Sequence, residues 1–113
     1  MSGIIAFVND LLFRTKIEET AKHNNVEVTF VKNRFELFDH LSKKTMLIIF
    51  DLNNKNLDLN VIKEIKSNQS LSKIRMIGFL PHVNADLRNK ALELGFDKVY
   101  ARSEFSKKLA EII

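Results

Sequence analysis

The chain has 113 residues, 45% of them hydrophobic and 28% charged, with a formal net charge of +4. This is the composition of one globular domain, 1–113, able to bury a core but too short for two, and it excludes a disordered chain. No apolar run approaches the length of a bilayer span, which excludes an integral membrane helix, and the lack of cysteine excludes disulfides, thiolate nucleophiles and thiolate metal sites.

The N-terminus, MSGIIAFVND, lacks a basic leader and reads as mature protein. A cytoplasmic setting is expected, and the start Met with a helical C-terminus reads as a complete chain. Lysines and arginines are spread among 14 acids without a basic block. A solvated surface is the default reading of that pattern. Nucleic-acid association through Lys63, Lys66, Lys73, Arg75 and Lys90 is disfavoured.

Short apolar runs alternate with longer amphipathic segments. Ile4–Val8 is β-branched and aromatic and too short for a helix, so it reads as a buried strand. Asp10 then sits where a helix is capped, and Phe13, Ile17 and Ala21 follow at helical spacing up to a stop at His23–Asn25. Val26–Val31 alternates as a strand. Asn33 caps a helix whose Phe35, Phe38 and Leu41 form one stripe. Met46–Phe50, continuously apolar, reads as a central parallel strand ending at Asp51. Val61, Ile62 and Ile65 mark the next helix face, and 74–80 is a fourth strand closed by Pro81. His82 reads as a polar turn residue, with a ligand or partner role as its second reading. Asn84 caps a helix with Leu87, Ala91 and Leu94 inward and Gly95 as its stop. Lys98–Ala101 is a short fifth strand, and Ser103 reads as the cap of a final helix that Phe105 packs down.

Strict βα alternation with apolar strands predicts an α/β fold, a doubly wound parallel sheet of five strands with helices on both faces. In such sheets the ligand crevice lies beyond the carboxyl ends of the strands. Asn9, Asp10, Asp51, Leu80 and Arg102 all fall at that edge. No P-loop, dinucleotide fingerprint, nucleophile elbow or metalloprotease pair occurs.

The ordered set VND, IIFDLN, NNKNLDLNVIKEIK, IRMIGFLPH and ALELGFDKVYARSEF resembles the receiver domain of bacterial response regulators over essentially the whole chain. The resemblance implies a flavodoxin-like, CheY-like sheet of order 2-1-3-4-5. It also implies two-component signalling, with phosphoryl transfer onto an aspartate from a histidine kinase or small phosphodonor and Mg²⁺ beside it. Asp51 matches the phosphoacceptor. Asp10, Asp51 and the backbone carbonyl of Asn53 match the metal ligands, with Asn9 a poor fourth because it stands where the family has an acid. A partner would meet the fourth helix, fifth strand and fifth helix.

The departures point to a pseudo-receiver. Leu80 replaces the Thr or Ser that bonds the phosphoryl group, and Arg102 replaces Lys, keeping charge with different reach and geometry. Val99 replaces the switch aromatic, with Tyr100 one residue off and expected on the other face. Without both halves of the relay, phosphorylation has no usual way to shift the surface. Three readings therefore stand: an interaction module with weak or no switching, a working receiver phosphorylated on Asp51, and the nucleic-acid reading. In the crevice, Asp51 is either acceptor or solvated strand end, Asp10 either helix cap or metal ligand, and Arg102 either phosphate binder or partner of Asp51 or Asp10. Any Mg²⁺ is expected to be weak, and catalysis to be at most self-phosphorylation.

Overall fold

A strand with neighbours on both sides and helices over both faces has no surface to give to water, and the apolar run before Asp51 forms such a strand. The computed structural model describes residues 3–81 and 84–113, so His82 lies outside the described residues. The elements are β1 (Gly3–Phe7), α1 (Leu11–His23), β2 (Val28–Phe30), α2 (Arg34–His40), β3 (Thr45–Asp51), α3 (Asn60–Ser67), β4 (Arg75–Leu80), α4 (Ala85–Leu94), β5 (Lys98–Ala101) and α5 (Arg102–Ile112). The sheet runs β2-β1-β3-β4-β5, every neighbouring pair parallel, as the receiver resemblance implies.

Strand alternation divides the core in two. Ile5, Phe7, Ile48, Phe50, Met76 and Leu80 face α2, α3 and α4, meeting Leu37, Val61, Ile62, Ile65 and Ala91. Ile4, Ala6, Ile49, Ile77, Phe79 and Tyr100 face α1 and α5, meeting Phe13, Ile17, Phe105 and Leu109. Each fully buried side chain of this kind contributes about 1.5–3 kcal/mol. The second face is aromatic at its centre: Phe79 stacks on Phe105 at 4.6 Å and on Phe13 at 4.9 Å, and Tyr100 lies 6.3 Å from Phe105.

Local signals set the helix ends. Asp10, Asn33 and Asn84 each accept a hydrogen bond from the backbone N–H three residues on, capping α1, α2 and α4. Asn25 is left-handed (φ 56°), which lets Val26 N–H return to Ala21 O at 2.8 Å and close α1. Gly95 closes α4 at φ 124°, a conformation that strains any side chain.

Three expectations are corrected. The second strand is Val28–Phe30, because Val26 is spent on closing α1. Phe35 is 79% exposed, not part of the α2 stripe. Leu37 is buried in its place with Phe38 and Leu41 beside it, since Phe35 lies about 200° round the helix from Leu37. Ser103 is not a cap: β5 runs into α5 without a loop, Ala101 takes the cap position, and no side chain caps the helix.

Candidate functional site

β3 ends at Asp51, whose Cα pairs with Phe79 of β4. Asp51 is 6% exposed, the one buried charged residue among those described. The chain then turns back on it: Asn53 N–H donates to Asp51 Oδ1 at 3.0 Å, and Asn54 N–H to the Asp51 carbonyl at 3.0 Å. Burial raises the Asp51 carboxyl above its ordinary pKa; the Asn53 N–H and the Arg102 charge oppose this, and the Asp10 charge adds to it.

Asp10, at the end of the β1 connection, has both oxygens engaged. Oδ1 accepts from Phe13 N–H at 3.2 Å as the α1 cap, and Oδ2 accepts from Arg102 Nη2 at 3.1 Å. Arg102 is the first residue of α5, delivered to the edge by the direct β5–α5 junction. Its guanidinium lies 5.0 Å from the centre of the Phe13 ring, a cation–π arrangement that holds it in place. The sequence left open whether Arg102 meets Asp10 or Asp51; it hydrogen-bonds Asp10 while its charge still acts on Asp51. Its Nε is buried without a partner among the described residues.

Asn9 reaches Asn54, Nδ2 to Oδ1 at 3.4 Å, and Asn54 Oδ1 also accepts from Asn56 N–H at 2.9 Å. Asn54 and Phe13 are site residues that sequence reasoning passed over. The doublet Asn53-Asn54, one residue beyond Asp51, is the available signal for the first, whereas the helical spacing of Phe13 marks it only as core.

No family model matches the sequence, and no curated protein matches it. Solved structures do. A phosphorylated cyanobacterial phytochrome response regulator, RcpA, superposes with a TM-score of 0.81 at 21% identity over 97% of this chain and 89% of its own. A response regulator from Hahella chejuensis gives 0.86 at 14% identity over 99% and 92%. The response regulator Rcp1, in its Mn²⁺-bound form, gives 0.76 at 18% identity over 96% and 89%. The chain has the receiver fold of response regulators.

Leu80 and Val99, the residues that the sequence resemblance matches to a receiver's relay, sit at the end of β4 and inside β5. Leu80 is 3% exposed, packed into the α2–α4 side of the core with Val99, and offers no hydroxyl to the crevice. Tyr100 points to the opposite face against Phe105, as strand alternation predicts.

Mg²⁺ asks for six oxygens at about 2.0–2.1 Å, several of them waters. Asp10 supplies none that is uncommitted, and no cluster of three acids or histidines exists among the described residues. The two carboxylates and the guanidinium leave one formal negative charge at the edge. The residues in this arrangement do not fit a resident Mg²⁺ unless Arg102 moves.

Of the cavities that lie elsewhere among the described residues, two stand out by position. One of about 120 Å³, lined by Glu27, His40 and Lys44, opens at the amino ends of the strands, the wrong edge for chemistry at Asp51. The other, about 220 Å³, runs between α4, β5 and α5, where Leu92 and Tyr100 are flanked by Arg88, Lys98, Glu104 and Lys108. No helix of the described residues is long and apolar enough to cross a membrane.

Proposed function

We propose that this chain is a divergent, pseudo-receiver-like signalling module that acts by binding a protein partner through α4, β5 and α5, with weak or no phosphorylation switching. The observation that carries the reading is the pair Leu80 and Val99, both buried and apolar where a receiver relay needs a hydroxyl and an aromatic ring. A switch moves only through interactions that differ between its two states, and this pair offers the phosphoryl group none. The groove beside Leu92, which is 36% exposed, supports the choice of face. The reading sets the module in the cytoplasm, with Mg²⁺ held weakly and nucleic acid and membrane insertion outside its role.

A second reading has one observation in its favour: Asp51 is a buried carboxylate at the end of β3, within electrostatic reach of Asp10 and Arg102. In it, a histidine kinase phosphorylates Asp51 with Mg²⁺ and Arg102 takes the place of Lys. Amide NMR spectra with Mg²⁺ and beryllofluoride, on wild type and Asp51→Asn, separate the two. The first reading expects amides of α4, β5 and α5 to stay in place. Shifts that spread to that face in wild type and vanish in Asp51→Asn would overturn it for the second.

A further inference from the structure

The Asp10 carboxylate has two oxygens and two tasks. Oδ1 is held by the first turn of α1 and cannot be surrendered without uncapping the helix. Oδ2 is therefore the oxygen that a cation in the crevice would need, and Arg102 Nη2 holds it at 3.1 Å. The arginine is itself anchored: its guanidinium carbon lies 5.0 Å from the centre of the Phe13 ring, and its backbone begins α5 directly after β5. Its charge also reaches Asp51, and its Nε remains a spare buried donor among the described residues. The guanidinium is covalently tethered to the chain, so its positive charge does not exchange with solvent as a bound metal ion does.

We propose that Arg102 is a tethered counter-cation that takes the place of a divalent metal between Asp10 and Asp51, and that Mg²⁺ or Mn²⁺ enters only when the guanidinium is displaced or removed. Arg102 and the metal compete for one oxygen and for the same negative charge. The crevice thus carries a latent divalent-cation site closed by its own side chain. Asn9 weakens that site further by withholding a carboxylate, so an acid at position 9 adds to the effect of removing Arg102. The inference stands on the crevice geometry and not on the proposed partner binding.

The test is Mn²⁺ titration of wild type, Arg102→Met, Arg102→Met/Asn9→Asp and Arg102→Met/Asp10→Asn, read by paramagnetic broadening of backbone amides with Mg²⁺ as competitor. Methionine keeps apolar contact with Phe13 while removing the charge, and the amide spectrum without metal shows whether each variant is folded. Should Arg102→Met not fold, Arg102→Gln takes its place. The expected result is broadening centred on Asp10 and Asp51–Asn53, with affinity tightened about tenfold or more over wild type, because a unit charge in contact at a surface-like dielectric is worth at least a decade in an equilibrium constant. Asn9→Asp should tighten it again, and Asp10→Asn should abolish it. Equal affinity in wild type and Arg102→Met would overturn the proposal, and so would a folded Arg102→Met that binds no Mn²⁺. Neither result bears on partner binding at α4, β5 and α5, which the beryllofluoride experiment reads separately.

Discussion

Gly78 of β4 lies directly beneath Leu52, the residue after Asp51: a Cβ at position 78 would stand 2.9 Å from Leu52 Cδ1, 3.0 Å from its Cγ and 3.2 Å from Phe96 Cε1. Leu52 is buried and its N–H donates to Phe79 O at 3.0 Å, so it has little room to yield. Gly78→Ala is expected to destabilise the fold by about 1–3 kcal/mol, as overpacking does. The same change should shift the amides of Asp51–Asn54 more than those of α1. Denaturant unfolding and an amide spectrum check both, and an unchanged midpoint would mean that the Leu52 pocket relaxes freely.

Putting the hydroxyl back at the end of β4 should not restore a switch. In Leu80→Thr a polar group replaces an isobutyl side chain inside the α2–α4 core, at an expected loss of about 1–3 kcal/mol if the hydroxyl finds no partner. Val99 still offers no ring to follow it. Beryllofluoride with Mg²⁺ should leave the α4–β5–α5 amides of the variant in place.

Asp51 should make stability depend on pH in one direction. Its folded pKa is raised, chiefly by burial, so between the unfolded and folded values the native state binds the extra proton. Its contribution is then most favourable below the unfolded pKa of about 3.9 and is lost as pH rises through the folded value. Asp51→Asn removes that loss while its side-chain oxygen still accepts from Asn53 N–H. The variant is expected to unfold at a higher urea midpoint than wild type at neutral pH, with the gap closing below about pH 4. A lower midpoint at neutral pH would mean that the charge on Asp51 is stabilising through Arg102.

The capping residues are not equivalent. Asn84→Ala should cost about 0.5–2 kcal/mol through the lost bond to Leu87 N–H. Asp10→Ala should cost more, because the same carboxylate caps α1 and holds Arg102. Thermal unfolding of the two variants side by side measures the difference.

The Arg34–Glu64 pair joins α2 to α3 through two hydrogen bonds of 2.8 Å, with both side chains nearly half exposed. Exposed pairs contribute little and are screened by salt. Glu64→Gln should lower the midpoint only slightly at low ionic strength and not at all in molar salt.

The fold was legible because run length separates strands from helices, and asparagine or aspartate marks three of the five helix starts, those of α1, α2 and α4. Asp10 and Asp51 could be placed at one edge because Asp51 directly follows an apolar run and Asp10 follows another after one residue, Asn9. The opposed faces of Val99 and Tyr100 followed from alternation alone. What escaped depended on small offsets and on three-dimensional choice. The inward face of α2 turns on where the helix begins, so Phe35 and Leu37 exchanged roles. The absence of a loop between β5 and α5 moved the helix start ahead of Ser103 and brought Arg102 to Asp10. No one-dimensional pattern distinguishes Asp10 from Asp51 as that arginine's partner, because the choice is made by where the Phe13 ring sits.

The stack of Phe13, Phe79, Phe105 and Tyr100 ties α1, β4, β5 and α5 into one block. On the proposed reading, a partner that met α5 would meet a surface backed by this block; were the block to keep one shape, it would bind at its intrinsic affinity, with no share of the population withheld in a non-binding form. Occupancy of such a surface follows the amounts of chain and partner present. Control over it would pass from chemistry at the crevice to synthesis and turnover of the protein itself.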